Sequence, residues 1–192
     1  MESSELFSER IRYLPELAAL RTLPDSSWAV IGTLTYRYAK SLAEMRDDFR
    51  TLMYEIAAVN NSWPERLIWL MRVERGHPNT IKSGLRRRHT HFALGDERVI
   101  NGKYVQFSKA GAASFLTEQW KGMKKGTSVI KEFDPSKDGI GYILKAPFGI
   151  RSADYEDLAY LSPRLNTLLK RTTNQPVFVT PAIDIYSEKA SA

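Results

Sequence analysis

Alternation of apolar and polar residues is the feature of this sequence that most constrains its fold. In residues 65–76, ERLIWLMRVERG, every second side chain is large and apolar, so these side chains share one face of an extended strand: Leu67, Trp69, Met71 and Val73. The opposite face carries Ile68, Leu70, Arg72 and Glu74. A strand with apolar residues on both faces is typical of the middle of a sheet, and we predict a central strand here.

Two further segments alternate in the same way. In residues 28–37, WAVIGTLTYR, one face carries Val30, Leu34 and Tyr36, and the other carries Thr33, Thr35 and Arg37. In residues 86–97, RRRHTHFALGDE, one face carries Thr90, Phe92 and Leu94, and the other carries His89, His91 and Ala93. Two of the three histidines of the chain therefore share one face of a strand. We interpret that face as the place for chemistry and the other as core.

Helical patterns separate the strands. Ser41 and Glu44 form a capping box ahead of apolar residues at helical spacing: Leu42, Met45, Phe49, Leu52, Met53 and Ile56. Further along, AGAASFLTEQWKGMKK predicts a helix, TSVIKEFDP a strand, and SKDGIGYILKAPFG a short helix that stops at Pro147. The turn-rich segment GHPNTIKSGLRRR predicts an antiparallel connection between neighbouring strands. The order of elements predicts an α+β fold with an antiparallel sheet.

The C-terminal region has a less regular pattern. The segment ADYEDLAYLSPRLNTLLKR looks helical apart from Pro163, and PVFVTPAIDIY looks extended. We divide the chain into an N-terminal extension (1–27), a core (28–149) and a C-terminal segment (150–192) whose role the sequence does not indicate.

Composition limits the chemistry. The chain has 192 residues and 43% hydrophobic residues, which suits one domain with a sizeable core. It has no cysteine, which excludes disulfides, thiolate metal sites and cysteine nucleophiles, so any metal must bind nitrogen and oxygen. Because the start of the chain lacks an apolar signal region and no stretch approaches the ~20 apolar residues of a membrane helix, we expect no export and no membrane partner. The net charge of +6 favours a polyanionic partner.

The paired histidines predict a metal site. Imidazoles two residues apart on a strand project together, and an acidic ligand from a neighbouring strand can complete the set. Glu74 ends the preceding strand on the appropriate face, and His77, in the connection, is the rival for third ligand. The alternative is that His89 and His91 are surface polar residues of a half-exposed strand.

A tyrosine and a lysine form the second candidate pair. If GYILKAP (141–147) is helical, Ile140, Ile143 and Leu144 face the core, and Tyr142 and Lys145 lie together on the other side. A phenol can attack a phosphodiester when a cation polarises the phosphate. The alternative is an interfacial tyrosine beside a lysine that extends to solvent.

These motifs together resemble those of a known family. IGTLTYR, RHTHFAL and YILK look like the first motif, the paired-histidine motif and the YxxK motif of HUH endonucleases, and they occur in that order over residues 28–149. The chain is similar to the rolling-circle replication initiators (Rep proteins) of small circular single-stranded DNA viruses and plasmids. The middle residue of the histidine motif is Thr90, where the family usually has a bulky apolar residue.

The resemblance implies a fold and an activity. It implies a ferredoxin- or RRM-like sheet of about five antiparallel strands, with helices on one face and the active site on the other. Glu74, His89 and His91 would bind Mg²⁺ or Mn²⁺. Tyr142 would attack single-stranded DNA at a replication origin and form a 5′-phosphotyrosine link, with Lys145 assisting. The expected location is the cytoplasm of a bacterial or archaeal host, or the host nucleus for a virus.

The sequence leaves the DNA contacts and the partners open. Candidate DNA-contacting residues are Thr33, Thr35, Arg37, Arg86, Arg87 and Arg88, although the arginine run also suits a solvated surface. A phosphate-binding G-x-x-x-x-G-K-[ST] loop is not found. Either the chain is an isolated nuclease domain, or its expected partner is a host or separately encoded helicase. Two other functions remain open: a transposase or relaxase with the same chemistry, and a non-catalytic module that binds single-stranded nucleic acid.

Overall fold

Five antiparallel strands form one sheet at the centre of the protein. The computed structural model describes residues 20, 22–59, 64–75, 88–96, 109–144 and 159–173. In these ranges the strands are β1 (Trp28–Tyr36), β2 (Leu67–Arg75), β3 (Arg88–Asp96), β4 (Gly126–Glu132) and β5 (Ala159–Leu161). The helices are α1 (Leu42–Val59), α2 (Lys109–Met123), α3 (Gly139–Ile143) and α4 (Pro163–Thr173).

The strand order is β4-β1-β3-β2-β5, and every neighbouring pair is antiparallel. The chain runs β1-α1-β2-β3-α2-β4 through the first four strands, which is the ferredoxin-like arrangement. β5 adds a short strand to the outer edge of β2. The predicted α+β class and five-stranded antiparallel sheet are confirmed.

One face of the sheet is covered by α1 and α2. The capping box forms at the start of α1: the Glu44 amide donates to Ser41 Oγ over 3.2 Å, and the Ser41 amide donates to the Glu44 carboxylate over 2.8 Å. The apolar side of α1 then packs on the apolar side of the strands, where Phe49 lies edge-on to Trp69 and Phe92. This is the face on which alternation placed the core.

The other face is apolar over only part of its area. Its core contains Ile68, Leu70 and Ala93 from the sheet, with side chains from α3, from α4 and from the segment before β1. Leu20 and Leu23, from the predicted N-terminal extension, belong to this core. Two helices therefore lie on the same side as the predicted site, and they cover the end of the face that is rich in aliphatic residues.

The C-terminal region differs from its predicted helical form. Residues 159–161 form β5, and α4 begins only at Pro163. Ser162 explains why the helix starts late, because its hydroxyl accepts hydrogen bonds from the backbone amides of Trp69 in β2 and Leu165 in α4. The same serine ends a strand and caps a helix, with proline in the first helical position, where its missing N–H costs nothing. The fifth strand thus lies beyond the predicted core of 28–149.

Some sequence predictions fall outside the described residues. The connection between β2 and β3 (76–87) and the extended segment PVFVTPAIDIY are among them. The described helices include none with the length and apolar character needed to cross a membrane.

Candidate metal centre and its tyrosine

The site face changes from aliphatic to polar along three neighbouring strands. An apolar row runs across β2, β3 and β1, where Leu70 pairs with Ala93 and Ala93 with Ile31. The next two rows on the same face are polar: Arg72, His91 and Thr33, and then Glu74, His89 and Thr35. Since side chains alternate along a strand, this order follows from sequence once the register is set.

His91 lies at the centre of the polar rows. It is 6% exposed, and both of its ring nitrogens have a partner. Nε2 lies 3.0 Å from a carboxylate oxygen of Glu74, and Nδ1 lies 2.9 Å from the hydroxyl of Thr33. β2 and β1, on either side, therefore hold this ring from two directions.

Glu74, His89 and His91 form a group that could hold a metal ion. One ligand atom from each of the three lies within 4.8 Å of the other two. The separation of 3.0 Å between His91 and Glu74 is close to the ~3 Å that separates adjacent ligands of an ion with bonds of about 2.1 Å. Two imidazoles and a carboxylate suit a metal that prefers nitrogen and oxygen. Glu74 and His89 are partly exposed, which leaves one side of the group open.

The electrostatics favour the metal-binding forms of two members of the group. The hydrogen bond from His91 lowers the pKa of Glu74, with a smaller contribution from the positive charge of Arg72, although burial opposes the shift. Burial lowers the pKa of His89, and the neighbouring His91 lowers it further. Glu74 is therefore held as a carboxylate and His89 as a neutral imidazole, the forms that bind metal.

A short capped helix presents Tyr142. The Asp138 carboxylate accepts the amide of Gly141 at the start of α3. A side chain at Gly139 would meet the end of Ile31 at 2.6 Å, so glycine lets the helix lie directly on the apolar row of β1. Ile143 is 1% exposed and anchors the other end of the helix. The predicted burial of Ile140, Ile143 and Leu144 and the predicted exposure of Tyr142 are confirmed, and Lys145 lies outside the described residues.

Tyr142 reaches from the apolar row to the polar rows. Its ring meets the His91 ring edge-on, with centroids 5.4 Å apart, and 58% of the residue stays exposed. The ring of His89 also meets the His91 ring edge-on, with centroids 5.4 Å apart. An accessible phenol therefore lies next to the group that could hold a metal ion.

Arg72 ties the metal group to the tyrosine helix. It is 4% exposed, and its guanidinium donates to the carbonyl of Ile143, at the end of α3, over 3.0 Å. Arg72 pairs with His91 in the sheet and shares its face of β2 with Glu74. The buried Arg72 thus joins β2, which carries Glu74, to α3, which carries Tyr142.

The other predicted site residues divide into two groups. Thr35 lies beside His89 on the site face, and Arg37 is exposed just beyond the end of β1. Arg88 is partly buried and donates to the carbonyl of Lys40 over 3.3 Å, so part of its hydrogen-bonding capacity is used within the protein. Outside the described residues are Lys145, the rival ligand His77, and two of the three consecutive arginines, Arg86 and Arg87.

Sequence reasoning missed the roles of two residues. It assigned Thr33 to the DNA face and did not anticipate the hydrogen bond to His91, which joins residues 58 positions apart. It placed Arg72 on the correct face and did not anticipate its bond to Ile143, 71 positions away. For Arg72 a signal was available in the sequence, because it follows five apolar residues in the same strand. A buried charge needs a partner, so a polar contact from Arg72 could have been predicted.

Comparisons with protein-family models, with curated proteins and with solved structures find no match to this chain.

Proposed function

We propose that this protein is a metal-dependent endonuclease of the HUH type, which nicks and rejoins single-stranded DNA to initiate rolling-circle replication. One observation carries the proposal: the exposed Tyr142 ring lies 5.4 Å, between centroids, from the ring of His91, a member of the Glu74, His89 and His91 group. A nucleophile beside a metal group is the arrangement that phosphodiester transfer needs. The motif order in the sequence is an independent argument for the same reaction.

The proposed reaction balances with the groups present. The Tyr142 hydroxyl attacks the scissile phosphorus, and the bond from phosphorus to the 3′ oxygen breaks. The 5′ phosphate stays on the tyrosine as a phosphodiester, and the phenolic proton is in net terms transferred to the departing 3′ hydroxyl. Attack by a 3′ hydroxyl on the phosphotyrosine reverses these steps and rejoins a strand. The ammonium group of Lys145 is predicted to help position the reacting groups or to stabilise negative charge during both steps.

Mg²⁺ or Mn²⁺ is the proposed ion, bound by Glu74, His89 and His91. When bound, it would polarise the phosphate and stabilise the charge that develops on it. The protein's own contribution is to hold the Glu74 carboxylate and the His89 imidazole in their deprotonated forms, as their lowered pKa values indicate. Arg72 keeps the strand of the carboxylate and the tyrosine helix together.

The proposed DNA path is the open part of the site face beside β1 and β4. Thr33 and Thr35 are partly exposed there, and Val129, opposite Thr33 on β4, is 60% exposed. Lys131 lies on the same face near the sheet edge and is exposed, as is Arg37. Hydroxyl groups and cations of this kind bind phosphates without specifying a sequence. A helicase supplied by the host or by a separate gene is the proposed protein partner.

Covalent capture of DNA tests the proposal. The protein is incubated with single-stranded oligonucleotides that tile both strands of the replicon encoding it, with Mn²⁺ or with chelator, and then analysed by intact-protein and peptide mass spectrometry. We expect a nucleotide adduct on Tyr142 that requires Mn²⁺ and is absent in Tyr142→Phe. Tyr54→Phe is the matched control, because Tyr54 lies on α1, on the other face of the sheet, and this variant should form the adduct normally.

The other outcomes separate the alternative functions. Binding of DNA and Mn²⁺ without any adduct would reject the nuclease and favour a single-strand binding module. An adduct formed only with the ends of a mobile element or with a transfer origin would favour a transposase or relaxase, which share the chemistry. Adduct formation that persists in Tyr142→Phe would assign the nucleophile to another residue.

A further inference from the structure

The two hydrogen bonds of His91 are not equivalent. The carboxylate of Glu74 can only accept, so the bond of 3.0 Å to it requires a proton on Nε2 of His91. In a neutral ring Nδ1 then carries no proton, and the bond of 2.9 Å to Thr33 must be donated by the threonine hydroxyl. In the metal-free protein Thr33 is therefore a donor.

Metal binding requires the opposite arrangement. A ring nitrogen that faces a cation has to present its lone pair, so the proton of a neutral His91 must move from Nε2 to Nδ1. A hydroxyl can accept as well as donate by rotating about a single bond. Thr33 can thus serve both forms of the ring without moving its backbone, whereas an apolar side chain would leave a buried Nδ1–H without an acceptor.

We propose that Thr33 is a positioning residue for His91: its hydroxyl donates to Nδ1 in the metal-free protein and accepts from Nδ1–H when Nε2 binds metal, so that the ring keeps one orientation in both states. This inference rests on the proposed metal site. It adds a residue from a third strand, β1, to a group otherwise built from β2 and β3.

The position of Thr33 suits this role. Thr33 is the direct cross-strand partner of His91, and its strand has neighbours on both sides, β3 and β4, so its backbone is held by pairing. His91 itself is 6% exposed, which leaves water little access to replace the hydroxyl. A buried imidazole N–H that loses its partner is costly, because desolvation is no longer compensated.

Three substitutions test the proposal. Thr33→Val keeps the shape and removes the hydroxyl, Thr33→Ser keeps the hydroxyl, and Thr127→Val makes the same chemical change at an exposed position of β4 on the same sheet face. Mn²⁺ binding to each metal-free protein is measured by calorimetry. We expect Thr33→Val to weaken Mn²⁺ binding about 10- to 100-fold, Thr33→Ser to stay within a few-fold of wild type, and Thr127→Val to show no change.

A second readout does not require metal. At one fixed pH, the ¹⁵N resonance of His91 Nδ1 is recorded in the metal-free proteins. In Thr33→Val it should move toward the value of an acceptor nitrogen without a hydrogen bond, and in Thr33→Ser and Thr127→Val it should stay at the wild-type value. This readout separates the loss of one hydrogen bond from a general loosening of the fold.

Each remaining outcome has a definite meaning. If wild type binds Mn²⁺ and Thr33→Val binds it equally well, the role of Thr33 is rejected and the metal site stands. If the affinity falls but the Nδ1 resonance does not move, the effect is not positional and the inference is also rejected. If wild type binds no Mn²⁺, the metal centre of the proposed function fails, and the role of Thr33 fails with it.

Discussion

The two faces of the sheet are built from the same strands but differ in the polarity of the side chains they carry. On the face under α1 and α2, apolar side chains continue along the strands and form one closed core. On the site face, the aliphatic row of Leu70, Ala93 and Ile31 gives way to two polar rows, and α3 lies at this boundary. The apolar half of the site face thus anchors α3, and the tyrosine of that helix reaches the polar half.

The difference should appear most strongly in two adjacent residues of β3 that point in opposite directions. Phe92 is fully buried on the α1 face, and Phe92→Ala should lower the free energy of unfolding by about 3–5 kcal/mol. His91→Ala should cost about 1–2 kcal/mol, the loss of its hydrogen bonds, while weakening Mn²⁺ binding at least about 100-fold. Chemical denaturation and calorimetry measure the two quantities.

Either of two results would contradict the separation between a core face and a site face. One is a Phe92→Ala protein that stays folded but has lost Mn²⁺ binding. The other is a His91→Ala protein that is destabilised as much as Phe92→Ala. Each would mean that core and site are one cooperative unit rather than two faces with separate tasks.

Arg72 tests the link across the boundary on the site face. Arg72→Met keeps much of the apolar stem and leaves the Ile143 carbonyl without this donor, which should cost about 1–3 kcal/mol of stability. Because α3 loses this tie to β2, adduct formation on Tyr142 should slow by more than Mn²⁺ binding weakens. Arg72→Lys keeps the positive charge but loses the planar guanidinium group, so its stability and adduct rate should lie between those of wild type and Arg72→Met. An adduct rate equal to wild type in Arg72→Met would show that the tie does not position the tyrosine.

The capping box at the start of α1 tests the other face of the sheet. Ser41→Ala removes the side-chain acceptor at the start of α1 and should cost about 1 kcal/mol, measured by chemical denaturation. Ser114→Ala, at an exposed position inside α2, is the matched control and should be neutral or slightly stabilising. Mn²⁺ affinity should be unchanged in both. A loss of affinity in Ser41→Ala would mean that α1 helps to shape the metal group.

Acidification should lower the free energy of unfolding by a smaller amount, through Glu74 on the site face. The pKa of Glu74 is lowered from its usual 4.5, mainly by the hydrogen bond from His91, so the native protein binds its proton less readily than the unfolded chain does. The stability that Glu74 contributes is therefore present above about pH 4.5 and is lost as pH falls through the lowered pKa. Because Glu74 is a third exposed, solvent screening keeps the effect modest.

Denaturation of metal-free wild type and Glu74→Gln at several pH values measures this contribution. The difference in unfolding free energy between the two proteins should be largest near neutral pH and should shrink as the solution becomes acidic. A difference that grows on acidification would have the wrong sign and would show that the bond to His91 does not stabilise the carboxylate.

Much of the fold could be predicted because it depends on local patterns. Alternation assigned the faces of Trp69, Phe92 and His91 correctly, and the spacing of Ser41 and Glu44 predicted the start of α1. The C-terminal strand and helix were harder to predict. Ser162 ends β5 and caps α4 while it also bonds to Trp69, 93 residues earlier, and no local pattern contains that contact.

The sequence alone predicts which residues share a face and which side of α3 is buried, because strand and helix geometry fixes the direction of each side chain. It therefore determined that the histidines, Glu74 and Tyr142 were available for chemistry. How these side chains meet depends on the tertiary structure. The register of β1 and β2 against β3 places Thr33 and Arg72 beside His91 and Glu74 beside His89, and a shift of one residue in either pairing would turn these partners to the other face.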